Sequence, residues 1–383
     1  MSVRHWRYSR WFVTSAILCS SLLATFWLPT GAVSAGTTVA VNDTVDEIHP
    51  GPGGCAATGA QLCSLRDAVI FANANTNATN VVTISLQPST TYTLTIAPVS
   101  PDDATTGDLN FAAPAGVTTI VQGQIGTVID GNGTDRAIHV ESGSVTLNSV
   151  TIRHGSVTGN GGGIVNAGTL TVDGSTIGGL TIGDGNTAMT GNGGGFFNTG
   201  TLTIQNGTRI IGNTATGINP NGWGGGITNS TGGHVSVTNS AIGGPIAAAG
   251  NTAYYGGGVY SVGTGATFAL TTSTVQNNTA TGGLTSDGGG ISNGFGSMLN
   301  LNGSTVSSNN GHHGAGIATE GTATITNSAI SGNNANFPGN TGVGGGIFVD
   351  GATTITGSTI SGNQATGTGG QGAASTSAAA RSA

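Results

Sequence analysis

Lysine is absent from this 383-residue chain, and all eight of its basic residues are Arg. Charge of either sign is scarce at 6%, and the net charge is −7. A Lys-free, acidic chain lacks the basic footprint that a phosphate backbone requires, which argues against nucleic acid as a partner. No stretch of ten or more residues combines a 3.6-residue hydrophobic period with a low Gly content, so helical solenoids are excluded. The 71 Gly follow no strict Gly-X-Y period, which excludes collagen. With 36% apolar residues to bury, general disorder fits poorly.

Cysteine is nearly absent too. Cys19 lies in a leader-like segment, in which Arg4, Arg7 and Arg10 precede a mostly apolar run from Trp11 to Leu28. Val33-Ser34-Ala35 then matches an A-x-A-like cleavage site, so residues 1–35 read as a signal peptide, with an uncleaved anchor as the alternative. From Gly36 onward five Arg face fifteen acids, a net charge of −10. The pair that remains, Cys55 and Cys63, reads as a disulfide of an exported chain. A metal pair is the alternative, but no His cluster nearby completes four ligands.

What the sequence has in abundance is one word, repeated. GGGIVNAGTLTVDGSTI (161–177) returns as GGGFFNTGTLTIQNGTRI, GGGITNSTGGHVSVTNSAI and GGGVYSVGTGATFALTTSTV, then as GGGISNGFGSMLNLNGSTV, GAGIATEGTATITNSAI and GGGIFVDGATTITGSTI. The last glycines of the triplets, 163, 195, 226, 258, 290, 316 and 346, are separated by steps of 32, 31, 32, 32, 26 and 30. Such a period marks a solenoid. Each repeat holds three short β-branched runs. The middle run alternates, with Leu170 and Val172 directed one way and Thr169 and Thr171 the other. A spacing of five residues separates Val172 from Ile177, and again Val237 from Ile242, Leu270 from Val275, Leu301 from Val306, Ile325 from Ile330 and Ile355 from Ile360. Ile210 follows Ile204 by six. A rigid corner with variable loops elsewhere predicts a parallel β-helix with three strands per turn and like residues stacked inside. Ile164, Phe196, Ile227, Val259, Ile291, Ile317 and Ile347 form one predicted column. Asn213, Asn278, Asn309, Asn333 and Asn363 form a predicted turn ladder, which Leu180 and Pro245 would interrupt.

Upstream of the repeats, Ser64 and Asp67 make a capping box for a short helix with Leu65, Ala68, Val69 and Ala72 on one face. Such a helix at the start of a β-stack is expected to cover the open first turn. The stretch TTVAVNDTVDEIHPGPGGCAATGAQLCSLRDAVIFANAN resembles the CSLREA domain, an N-terminal module of bacterial exported proteins, with Asp67 in place of its usual Glu. TGDLNF (106–111), GTDRAIHV (133–140) and the repeats are also similar to segments of that family. The resemblance implies a right-handed parallel β-helix of the pectin-lyase shape, in a family whose members mostly carry no assigned activity. The resulting division is a signal peptide (1–35), a CSLREA-type cap (36–115), the parallel β-helix (116–365) and a disordered tail (366–383) without a second cap.

Catalysis on this fold would need acids converging on one face. After residue 142 only Asp173, Asp184, Asp287, Glu320 and Asp350 remain, with Arg153, Arg209 and His312-His313 as candidate bases, and no two acids share a position in adjacent repeats. Upstream lie Asp43, Asp46, Glu47, Asp67, Asp102, Asp103, Asp108, Asp130, Asp135 and Glu141. Asp130 with Asp135-Arg136 reads as a salt-bridged turn, with a Ca²⁺ site as the alternative, and the 102–108 acids lack calcium-loop spacing. The expectation is therefore an exported, non-catalytic surface protein for adhesion or for binding carbohydrate or the envelope, with no catalytic or metal residues and no cofactor. The alternatives are a Ca²⁺-dependent lyase or hydrolase of acidic polysaccharide, as in related folds, and an ice-binding solenoid built on outward pairs such as Thr169/Thr171, Thr201/Thr203, Thr324/Thr326 and Thr354/Thr356.

Overall fold

The computed structural model describes residues 36–49, 55, 62–76, 81–100, 103–282, 287–335, 342–365 and 375–376. The leader-like segment, and all of the expected tail except 375–376, lie outside these residues. Among the described residues no helix is long and apolar enough to cross a membrane.

Every pairing between the strands is parallel and joins a strand to its counterpart one turn away, so the chain is a parallel β-helix. Three long ladders run along it. The first-strand sheet has ten members, from Leu109–Ala112 through Ile164–Asn166 to Ile347–Val349 and 375–376. Eleven strands form the second-strand sheet, from Thr37–Ala40 to Thr353–Thr356, and ten form the third, from Thr91–Thr93 to Thr359–Ser361. The strands of the N-terminal segment therefore belong to the same sheets as the glycine-triplet repeats. A short fourth ladder of two-residue strands, among them Thr187–Ala188 and Thr214–Ala215, was not expected from the sequence.

The interior is the predicted one. Ile164, Phe196, Ile227, Val259, Ile291, Ile317 and Ile347 stand in direct register and are at most 3% exposed. Leu170 and Val172 continue into Leu202/Ile204, Val235/Val237, Phe268/Leu270 and Leu299/Leu301. Each fully buried aliphatic contributes on the order of 1.5–3 kcal/mol, and only stacking buries it.

The corner between second and third strands explains the constant spacing. A single residue in the left-handed region makes it: Gly174, Asn239, Thr272, Gly303, Asn327 or Gly357. In the six-residue case two such residues, Asn206 and Gly207, take up the extra length, and Ile177 still pairs with Ile210. Register is thus preserved by the corner.

The predicted asparagine column is continuous, which corrects the expectation of two interruptions. Residues 179–185 and 244–250 loop outward, and Asn186 and Asn251 return to the column. Each side-chain amide donates to the oxygen of the next: Asn186 to Asn213 (2.9 Å), Asn213 to Asn251 (3.0 Å), Asn251 to Asn278 (2.9 Å), Asn278 to Asn309 (3.0 Å), Asn309 to Asn333 (3.0 Å) and Asn333 to Asn363 (2.9 Å). The glycine triplets are shaped around this ladder. Gly224 has φ +58°, and a Cβ on Gly226 would stand 2.6 Å from the Gly258 carbonyl oxygen and 3.1 Å from the Asn251 amide nitrogen.

The helix α1 (Leu65–Asn73) carries the predicted capping box and buries Leu65, Ala68, Val69 and Ala72 against strands Val81–Ser85 and Leu109–Ala112. Its Arg66 is fully buried. The guanidinium donates to both carboxylate oxygens of Asp46 (2.7 and 3.1 Å) and to the carbonyls of Ala104, Gly107 and Asp108. One side chain thus ties the helix to two loops. Cys55 and Cys63 form the expected disulfide, with Cα atoms 4.9 Å apart.

Candidate functional site

Alternation directs the central residue of each first strand outward, and parallel register puts these residues in one file: Val165, Phe197, Thr228, Tyr260, Ser292, Ala318 and Phe348. Residues just before the glycine triplets make a parallel file beside it, with Trp223 bridged to Tyr255, and Asp287 to His313 and then Val343. Side chains far apart in sequence consequently share a face.

Among the described residues, a group of aromatic side chains gathers there. Trp223 stacks on Tyr260 with centroids 4.9 Å apart and planes 22° from parallel. Tyr255 lies 6.3 Å from Tyr260 and takes the edge of Tyr254 at 4.8 Å. Further along, His313 stacks on Phe348 at 5.2 Å and meets the His312 ring at 4.3 Å. Trp223, Tyr254, Tyr255, Tyr260 and Phe348 are all half-buried, and Phe295 projects at 79% exposure.

Carboxylates punctuate these rings. Asp287 meets Nδ1 of His313 at 2.9 Å. Glu320 accepts the backbone N–H of Phe295, while desolvation and the charges of Asp287 and Asp350 raise its pKa. Burial pushes the Tyr260 hydroxyl up, and the charges of Glu320 and Asp287 add to the effect. His312 is buried, neither of its ring nitrogens has a hydrogen-bond partner, and desolvation followed by the charge of His313 lowers its pKa. Three acids that looked scattered in sequence, Asp287, Glu320 and Asp350, therefore act on one surface.

A second cluster occupies a cleft of about 460 Å³ lined by Thr93, Asp130, Asn132, His154, Ser156 and Thr187. Asp130 and Arg153 pair in register on adjacent third strands, with Nε 3.1 Å from the carboxylate. His154 follows in the left-handed corner at φ +54°. Its Nδ1 lies 2.9 and 3.0 Å from the two Asp130 oxygens, and its Nε2 lies 3.3 Å from Asp184, which the outward loop 179–185 supplies. Both nitrogens thus face carboxylates, so the imidazole clamps the loop onto the stack. A relay to a hydroxyl nucleophile would need one nitrogen free. The larger cavity, about 570 Å³ beside Pro88, Gln124, Ile125, Thr151 and Thr176, has no ionisable lining residue.

Other sequence candidates are engaged locally. Asp130 does not pair with Arg136; Arg136 instead reaches Asp108 at 3.3 Å, and Asp135 accepts the backbone N–H of Arg136. The expected salt-bridged turn is therefore replaced by contacts between turns. Asp103 caps its own loop through Thr105, which lowers its pKa, and Asp102 lies outside the described residues. Asp173 accepts from Gln205 and Asn206. Arg209 is exposed on the third-strand sheet. The outward threonines do not form one array. Thr171 and Thr203 continue into Ser236, Ala269 and Asn300 before Thr324, and Thr326 stands one step off the file of Thr171.

The aromatic file was missed because its rings come from two different positions of the repeat. Listing the residue before each triplet alongside the middle of each first strand would have revealed it. No family model, no curated protein and no solved structure matches this chain.

Proposed function

We propose that this chain is an exported, non-catalytic β-helix of the CSLREA type that binds extracellular or envelope glycan along its first-strand face. The observation that carries the reading is the Trp223–Tyr260–Tyr255 cluster bordered by Asp287 and Glu320. Ring faces stack on the C–H faces of sugars, and carboxylates accept from sugar hydroxyls. The acids on this face favour a neutral glycan over an acidic one, since like charges would be brought together without a cation to offset them. The enzymatic reading has the His154 cleft in its favour, but there the imidazole is held at both nitrogens.

The test is retention of the purified chain on insoluble neutral and acidic polysaccharides, combined with reducing-end and unsaturated-product assays. Retention on a neutral polymer, lost in a Trp223→Ala/Tyr260→Ala variant and without product release, is the expected result. Cleavage of any polymer, or retention unchanged in that variant, refutes the reading.

A further inference from the structure

Before the capping helix, residues 43–49 fold back over its N-terminus. Two backbone–side-chain contacts hold them there: the Ser64 hydroxyl donates to the Glu47 carbonyl at 2.6 Å, and the His49 N–H donates to Asp67 at 3.0 Å. The Asp43 N–H also donates to the Cys63 carbonyl at 3.1 Å. This path brings three potential ligand groups together. Nε2 of His49 lies 3.2 Å from Oε1 of Glu47 and 3.7 Å from Oδ2 of Asp43, and donor atoms of the three residues all fall within 4.8 Å of one another. Four-coordinate Zn²⁺, at about 2.1 Å from each donor, needs donor separations of roughly 3.4 Å.

The imidazole distinguishes this place from a patch of acids. Its Nδ1 is hydrogen-bonded to Asp67 at 2.6 Å. Asp67 is itself fixed as the capping-box carboxylate and accepts the Ser64 N–H at 3.1 Å. With Nδ1 committed to Asp67, Nε2 faces the two carboxylates, and a metal ion in place of a proton on Nε2 would complete the carboxylate–histidine–metal arrangement of metalloproteins. Arg66, the neighbouring cation, is committed to Asp46. Glu47 is half exposed and leaves an open side for entry and for water.

We propose that Asp43, Glu47 and His49 form a binding site for a divalent transition metal of the Zn²⁺ class, with Asp67 as positioning residue. A nitrogen donor beside two carboxylates suits Zn²⁺ and Co²⁺, whereas Ca²⁺ and Mg²⁺ seek all-oxygen shells. The bound ion would fasten residues 43–49 to the helix cap.

Calorimetric titration of the full chain with Zn²⁺ at about pH 8, where fewer protons compete for the ligand atoms than at neutral pH, should show one equivalent bound, with Ca²⁺ and Mg²⁺ unable to compete. Co²⁺ should give a visible d–d band that His49→Gln abolishes. Asp67→Asn should weaken Zn²⁺ roughly 10–100-fold. Glu47→Gln should also weaken it while leaving melting of the metal-free protein unchanged, so a folding defect cannot mimic the loss. Absence of Zn²⁺ binding, equal competition by Ca²⁺, or affinity unchanged in both His49→Gln and Glu47→Gln would each overturn the proposal.

Discussion

Replacing Asn278 by Ala tests the asparagine ladder at its centre. The Asn278 side chain accepts from the backbone N–H and the amide of Asn251 (3.0 and 2.9 Å) and donates to the Ile242 carbonyl (3.1 Å) and to Asn309 (3.0 Å). Its removal orphans two donors of Asn251, the backbone N–H and one amide N–H, while Asn309 still accepts the backbone N–H of residue 278 at 2.9 Å. Asn251 and Asn278 are both fully buried. At about 1–3 kcal/mol for each buried group left unsatisfied, two such groups amount to roughly 2–6 kcal/mol, with the lower end expected if water enters the vacated space. Urea unfolding followed by circular dichroism measures the loss. Amide exchange localises it, because the Asn251 N–H loses its acceptor and should exchange much faster. Asn363→Ala, at the last and slightly exposed position of the ladder (7%), should cost less because water can satisfy what it leaves behind. A cost below about 1 kcal/mol at Asn278, or an unchanged Asn251 amide, would refute the view that the ladder is dry and continuous.

Three further outcomes are expected. Thr272 holds a left-handed corner at φ +45°, so Thr272→Gly should stabilise the chain by about 1 kcal/mol in urea melts, relief of backbone strain outweighing the entropy of glycine. Arg66→Ala leaves the Asp46 carboxylate, whose side chain is 2% exposed, without its partner, and should cost about 3–5 kcal/mol and raise proteolysis of the cap. His312 is kept neutral by burial, so its pKa lies below that of the unfolded chain. The stability this represents is present above about pH 6.5 and is lost as pH falls toward the lowered value, because the unfolded chain then binds the proton more readily. Melting temperature against pH should show that acid limb in the parent chain and a smaller one in His312→Phe.

Much of this molecule could be read without coordinates, for a simple reason. In a parallel stack each residue pairs with the same position of the next turn, so periodicity in sequence becomes proximity in space. The columns of Ile164 and Leu170, the corner five residues after Val172 and the cap from Ser64 and Asp67 all follow from that rule or from local capping chemistry. A second buried ladder, from Asn166 through Asn198 and Asn229 to Ser261, obeys the same rule and could have been found by reading three residues beyond each triplet.

What periodicity does not encode is where the insertions go and what they carry back. Leu180 and Pro245 suggested gaps because the loops 179–185 and 244–250 were counted as part of the column, whereas folding excludes them and restores Asn186 and Asn251. Asp184 rides on one such loop to reach His154, and residues 43–49 reach Asp67 by folding back over the helix. Trp223 meets Tyr260 across two different positions of the repeat. Composition and period therefore determine the scaffold, since its contacts are between equivalents. The clusters with chemical potential unite non-equivalent residues, and those distances exist only once the chain has wound.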